Sequence, residues 1–242
     1  MERPERIILW DFEGTLVNRP GRWRSALMEV LDMNEPEHQV EMEQIRPFLR
    51  DGFPWHRPDE PHANLTNSKE YWFLLEQVFT RAYQGVGYNH NRAKELSSLV
   101  RNAFINPNRF VLYEDTIPAL EYLAERGWKH AIHSNHVPEL PDIVAGIGLS
   151  PYIDWCISSG STGYEKPNPK AFYIALDRVG NPEKVWMVGD NPEADIRGAE
   201  SIGIPAILVR NPNYENIKYY ARDLMGAVSI IESIEPNTIT SK

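Results

Sequence analysis

VWMVGDNPEADIRGAESIGIPAILV, residues 185–209, holds two short apolar runs, 185–189 and 206–209, around a polar stretch that Pro192 opens as a helix over 192–202. Apolar runs of this length bounded by Gly, Asn or Pro read as buried strands. A strand–helix–strand unit of this size joins parallel neighbours. The alternation recurs upstream to residue 112. A helix over 115–126 carries Ile117, Leu120, Leu123 and Ala124 on one face and stops at Gly127. A strand over 128–134 follows, then a helix within 138–148 and a strand near 155–159. The next helix is capped by Asn168, begins at Pro169 and runs through Phe172, Leu176 and Val179. Ile7-Ile8-Leu9-Trp10 forms one more strand, ended by Asp11. Repeated βα alternation predicts an α/β fold, a mostly parallel sheet with helices on both faces.

Residues 18–111 have another texture. Tyr71, Leu74, Leu75, Val78, Phe79 and Ala82 recur at helical spacing across 68–83. Trp23, Leu27, Val30 and Leu31 do so in 21–32, and 91–104 repeats the pattern more weakly. Strand signals are nearly absent, and a Pro-rich connector, 53–67, separates the first two helices. The expected organisation is a core of residues 1–17 and 112–242, with a helical cap domain, 18–111, inserted after the first strand. Charge divides the same way. The insertion holds 12 basic and 12 acidic residues, so the other 13 basic and 22 acidic residues carry the whole net −9. A cation site in the core produces such an excess, and so does a solvated acidic surface.

The full chain of 242 residues is 42% hydrophobic, ample for one or two cores. Its acidity disfavours nucleic acid and anionic membranes as partners, since both call for a basic surface. A single cysteine, Cys156, cannot make an internal disulfide and fits a reducing compartment. The opening MERPERIILW lacks a secretory pattern. No apolar run approaches the roughly 18 residues of a membrane span. Asn64-Leu65-Thr66 matches a glycosylation sequon that, without a leader, reads as chance. The expectation is a cytoplasmic protein, monomer or homodimer, with no membrane or nucleic-acid partner.

Parallel sheets bind ligands at the carboxyl ends of their strands. At these ends stand Asp11-Phe12-Glu13-Gly14-Thr15-Leu16, then Ser134-Asn135, then Asp190-Asn191 with Asp195, while Lys166-Pro167 precedes the helix at 169. Each alone has a plain structural account. Asp11, Asp190 and Asp195 can cap helices or turns, Ser134-Asn135 is ordinary turn chemistry, and Lys166 can be solvated. In order and spacing, however, IILWDFEGTL, HSN, KPNP and VGDNPEADIRGA resemble the four motifs of the haloacid dehalogenase superfamily. The likeness covers about 150 residues of α/β sequence, and the insertion sits where that family carries its first-type cap. It implies a Rossmann-like core and hydrolysis of a small phosphorylated metabolite.

The resemblance assigns the catalytic roles to Asp11, Glu13 and Lys166. Asp11 would attack phosphorus to form an aspartyl-phosphate. Mg²⁺ would be held by the Asp11 carboxylate, the Glu13 backbone carbonyl and Asp190, with Asp195 binding a metal water or holding Lys166. Ser134, Asn135 and Lys166 would bind the phosphoryl oxygens. Phosphatases of the family usually carry Asp two residues after the nucleophile, as general acid and then base. Here that residue is Glu13. The carboxyl chemistry is kept, but the group moves by roughly 1.5 Å, a misplacement that can cost about 10²-fold. Glu13 is therefore read as the acid–base, with two alternatives: a slow phosphatase, or a silent relative that binds phosphate or a metabolite. The family's dehalogenases carry Tyr and its phosphonatases Ala at this position, so Glu disfavours both.

His130, His133 and His136 resemble a metal cluster, yet strand alternation sends His130 and His133 to opposite faces. His136 can meet substrate or be an ordinary loop residue. Trp55, His56 and Arg57 can supply specificity from the cap or merely stiffen a connector. Arg19 and Arg22, near the hinge, can meet an anionic substrate or lie on a solvated helix face. No P-loop, dinucleotide GxGxxG or GxSxG elbow is present.

Overall fold

The strands are β1 (Arg6–Trp10), β2 (Val17–Asn18), β3 (Val111–Leu112), β4 (Lys129–Ser134), β5 (Trp155–Ser158), β6 (Lys184–Gly189), β7 (Ala206–Val209) and β8 (Tyr220–Ala221). The computed structural model describes residues 4–212 and 216–236. Six strands form one sheet in the order β5-β4-β1-β6-β7-β8, parallel throughout. This is the α/β architecture the alternation predicts. β1 lies mid-sheet, with Trp10 paired to Ile132 of β4 on one side and Val188 of β6 on the other. Strand order reverses at β1, which opens a crevice at its carboxyl end.

The helices are α1 (Arg22–Asn34), α2 (Met42–Ile45), α3 (Ser68–Gly85), α4 (His90–Ile105), α5 (Thr116–Ala124), α6 (Leu140–Gly146), α7 (Ser159–Thr162), α8 (Pro169–Arg178), α9 (Gly198–Glu200) and α10 (Leu224–Ile234). Alternating side chains of β1 feed two cores. Ile7 and Leu9 join Met187, Leu208 and the Phe172 side of α8, while Ile8 and Trp10 join Val188, Leu120, Leu224 and Ile231 of α5 and α10. Both faces are thus covered. Asn67, Asn89 and Asn168 cap α3, α4 and α8 by accepting from Glu70, Arg92 and Lys170 N–H.

Between residues 18 and 111 the chain is helical. It leaves and returns through a two-strand neck, where Val17 faces Leu112 and Asn18 faces Val111, antiparallel. Trp23 anchors this region: its ring stacks on Phe104 at 3.6 Å and 7° and lies near those of Phe53 and Phe79. Glu139, in the loop after β4, ties α3 and α4 to the sheet. It accepts from Ser68 Oγ (2.5 Å), Trp72 Nε1 (3.0 Å) and Arg101 Nη2 (2.7 Å). Burial would raise the Glu139 carboxyl, but these donors outweigh it and hold it below its ordinary value.

Two elements differ from expectation. The helix expected over 192–202 is a π-helical turn, Pro192–Arg197, running into the short α9. β8 and α10 continue the series beyond the last strand that was expected. Among the described residues no helix is long and apolar enough to cross a membrane.

Candidate active site

Asp11 directly follows β1. Its N–H donates to Val188 O at 2.9 Å, which keeps the residue in line with the sheet. The chain then turns sharply: Leu16 and Val17 N–H both donate to Phe12 O, at 2.9 and 3.1 Å. Gly14 takes φ +96°, and a Cβ there would overlap the Asp190 carboxylate. Only glycine lets the turn and Asp190 approach this closely. A Cβ on Gly189 would likewise strike the Asp195 carboxylate.

Asp11, Asp190 and Asp195 each place a carboxylate oxygen within 4.8 Å of the others. Lys166, fully buried, reaches among them. Its Nζ donates to Asp11 Oδ1 at 2.9 Å, Asp195 Oδ1 at 2.5 Å and His133 O at 2.7 Å. Burial alone would lower Lys166; Asp11 and Asp195 outweigh it and hold the ammonium above its ordinary value. Asp190 is pushed up to about 6, first by burial and then by the charge of Asp11, against Arg22 and Lys166. Burial also raises Asp195, which Lys166 opposes. Three crowded carboxylates around one ammonium leave an excess of negative charge, and carboxylate oxygens are the donors a hard dication takes. The donor set therefore fits such an ion.

The π-helical turn aims Asp195 back at β6. Asn191 Oδ1 accepts from Glu193 and Ala194 N–H at 3.0 Å, and Asn191 N–H donates to Asp195 Oδ2 at 3.0 Å. Wide turns of this kind recur at functional sites. Ser134 Oγ donates to Asp11 Oδ1 at 3.0 Å. Both ends of the Asn135 amide engage the Lys166 main chain: Nδ2 donates to Lys166 O at 2.8 Å, and Oδ1 accepts Lys166 N–H at 2.7 Å. Its side chain thus fixes the loop that delivers Lys166.

Glu13 is gripped from two sides. Its Oε1 pairs with His136 Nε2 at 3.2 Å, and Arg22 Nε lies 3.6 Å from Oε2. His136 is buried among Phe12, Phe104 and Phe110. Arg22 Nη2 is also 3.4 Å from Glu13 O and 3.8 Å from Asp190 Oδ2. Asp11, Glu13, Arg22, Ser134, Asn135, His136, Lys166, Asp190 and Asp195 border one cavity of about 620 Å³, also lined by Trp23, Trp55 and Phe104, whereas Arg19, His56 and Arg57 do not border it.

Arg19 does not lie on a solvated face. It is buried over the Phe104 and Phe110 rings and donates to Phe104 O (2.5 Å) and Ala103 O (3.3 Å). Arg57 is exposed and pairs with Glu60, and His56 packs edge-on to Phe53. His130 and His133 face opposite sides of the sheet. His130 bonds Trp10 and Leu120 O, with burial lowering it to about 4, and burial lowers His133 against Phe172 as well. Neither borders the cavity.

Sequence reasoning passed over Glu139 and left His136 without a partner. Their partners lie 38–71 and 123 residues away, respectively, so no local pattern signals them. The His136–Glu13 pairing was within reach only through the expectation that the loops after β1 and β4 converge.

This is the crevice of a hydrolase built on a parallel sheet. A family model of haloacid dehalogenase-like hydrolases matches residues 5–203. The chain belongs to that family. It is 36% identical over 136 residues to a phosphoserine phosphatase of Thermus thermophilus, an alignment spanning 55% of this chain and 53% of that protein. It is 27% identical over 214 residues to haloacid dehalogenase-like hydrolase domain-containing protein 3 of Bos taurus, covering 86% and 82%. Its fold superposes on the magnesium-bound HAD-hydrolase YfnB of Bacillus subtilis with a TM-score of 0.75 at 17% identity, covering 95% and 99%.

Proposed function

We propose that the protein hydrolyses small phosphate monoesters with Mg²⁺, through an aspartyl-phosphate on Asp11, beneath a helical cap formed by residues 18–111 on a core of 1–17 and 112–242. The observation that carries this reading is the convergence of Asp11, Asp190 and Asp195 within 4.8 Å around Lys166. Likeness to a phosphoserine phosphatase supports a phosphate ester over a halide as substrate. The Asp11 and Asp190 carboxylates and the Glu13 carbonyl would hold the ion, with Asp195 near it. The ion supplies Lewis-acid neutralisation of the phosphoryl charge.

The chain's own groups do the rest. Asp11 attacks phosphorus as the bond to the ester oxygen breaks, and Glu13 gives its proton to the leaving alkoxide. Water then attacks the aspartyl-phosphate while Glu13 takes the water's proton, releasing inorganic phosphate and restoring Asp11. Ser134 Oγ and Lys166 Nζ, both on Asp11 Oδ1, stand where phosphoryl oxygens must pass. His136 and Arg22 fix the longer Glu13 side chain in reach of the cavity, and Asn135 orients Lys166.

Glu13→Gln keeps the shape but can neither give nor take the proton, so kcat should fall about 10²–10⁴-fold. Glu13→Asp shortens the reach and loosens the His136 contact; it should lose less. Phosphate release from p-nitrophenyl phosphate with and without Mg²⁺ measures both. Equal rates for wild type and Glu13→Gln place the proton transfer elsewhere.

The raised Asp190 gives a second test. With its pKa near 6 in the folded, metal-free protein and near 4 unfolded, the folded state binds the extra proton. Stability without metal should then decline as pH rises from about 4 to 6. A dication binds the ionised form, so the gain in Tm on adding Mg²⁺ should be small at pH 5 and full above pH 7. A gain independent of pH, measured by calorimetry with and without chelator, would separate Asp190 from the ion.

A further inference from the structure

Beside the catalytic cavity lies a second hollow of about 490 Å³, between the start of α1 and the turn Arg46–Leu49. The two share Arg22, Trp23 and Trp55 as lining. Five arginines, Arg19, Arg22, Arg24, Arg46 and Arg50, border it, and no acidic residue does. That is a concentration of positive charge in a chain of net −9. Arg22 meets Glu13 and Asp190 on the side of the first cavity, and the other four have little counter-charge. Arg24 and Arg46 share one carboxylate, Glu43, at 2.5 and 3.2 Å. Arg19 is spent on backbone carbonyls, with its Nε buried and unpaired. The Arg50 side chain has no ion pair or hydrogen bond among the described residues. Guanidinium groups gathered at one hollow repel one another until an anion enters, and their planar forks fit phosphate and carboxylate oxygens.

The junction between the cavities is built with care. Gly21 and Arg22 are consecutive left-handed residues, φ +76° and +47°, and for a non-glycine residue that conformation is strained. It aims Arg22 at Glu13 and Asp190 while the residue still borders the arginine hollow. Trp23 and Trp55, nearly parallel at 6.1 Å and 19°, present apolar surface to both hollows.

We propose that the arginine-lined hollow is a subsite for a second anionic group of the substrate. The substrate class is then phosphate monoesters whose alcohol part carries another phosphate or a carboxylate, with the carbon skeleton lying along Trp23 and Trp55. This rests on the phosphatase reading above.

The test compares kcat/KM for a bis-anionic ester, fructose 1,6-bisphosphate, with that for p-nitrophenyl phosphate, in the Mg²⁺-loaded wild type and in R46A/R50A. Both arginines are exposed, so truncation should leave the fold intact; circular dichroism and R46K/R50K, which keeps the charge, check this. The preference for the bis-anionic ester should fall about tenfold or more in R46A/R50A and recover in part in R46K/R50K. An unmoved preference overturns the proposal. A binding arm uses D11N, with calorimetric titration of the same two esters and of inorganic phosphate. Tighter binding of the bisphosphate, weakened by adding R46A/R50A, supports the subsite even if the wild type turns over neither ester, in which case the phosphatase reading alone fails. Equal weakening of inorganic phosphate and bisphosphate, with no change in ester preference, marks an independent free-anion site and overturns the subsite.

Discussion

Asp11→Asn should abolish turnover, on the order of 10⁴-fold or more, while folding at least as tightly as the wild type. The amide has the carboxylate's shape, and its carbonyl oxygen can still accept from Lys166 Nζ and Ser134 Oγ, which now meet Asp11 Oδ1 at 2.9 and 3.0 Å. What it lacks is the anionic oxygen that, in the proposed mechanism, attacks phosphorus. Stability should move the other way from activity. The charge of Asp11 helps push Asp190 and Asp195 upward, so its removal relieves repulsion among three carboxylates that Lys166 and, at Asp190, Arg22 offset. In chelator, Tm should hold or rise. Affinity for Mg²⁺ should fall, because one of three converging oxygen donors loses its charge. Phosphate release, thermal melts in chelator and metal titration read the three effects separately. A variant that keeps the full rate removes Asp11 as nucleophile, whatever its stability.

The sheet was legible because its strands are apolar runs interrupted by an acid or a glycine. Ile7-Ile8-Leu9-Trp10 then Asp11, and Val185 to Gly189 then Asp190, each state where the hydrogen-bonded ladder ends and the crevice begins. Convergence of those ends follows from parallel pairing, so the sequence alone brings Asp11, Ser134 and Asp190 together. The π-helical turn at Pro192–Arg197 is not legible in this way. It differs from an α-helical turn by one step in hydrogen bonding, and side-chain periodicity over six residues does not resolve that step. α10 carries a legible signal: Asp223 caps it, and Leu224, Ala227, Val228 and Ile231 repeat at i, i+3, i+4 and i+7. β8, two residues long, carries no alternation to read.

The side chains that surround the candidate site were the least legible. Arg19 looks like a solvated cation in sequence; only the fold shows it lying over two phenylalanine rings. Glu139 looks like one more surface acid, yet it gathers three donors from the helical insertion. Such residues act through partners far along the chain, and local spacing holds no trace of those partners. The departure from the family pattern at Glu13 is plain in the sequence, whereas the His136 contact that holds its longer side chain exists only in the fold.

Lys166→Met should be the most destabilising single change in the site. Methionine fills nearly the same volume in the buried channel but donates nothing. Asp11 Oδ1, Asp195 Oδ1 and His133 O all lose the same partner, and Asp195, fully buried, is left with only the Asn191 N–H beside it, so that it must either carry an uncompensated charge or take up a proton. Breaking a buried pair from one side costs about 3–5 kcal/mol, or roughly 6–20 °C of Tm for a domain of this size. The loss should depend on pH with a definite sign. In the wild type Lys166 sits above its ordinary value, so its contribution is fully present at any pH below about 10. Without the ammonium, Asp195 rises further, and the folded variant takes up a proton that the unfolded chain holds only below about 4. The variant should thus lose stability as pH rises from about 4 toward neutrality, and its deficit against wild type should be larger at pH 8 than at pH 5. Urea unfolding in chelator at both pH values measures this. A deficit equal at the two pH values would mean that Asp195 and Lys166 are not the coupled pair described here, and undiminished turnover in the variant would remove Lys166 from the phosphoryl site.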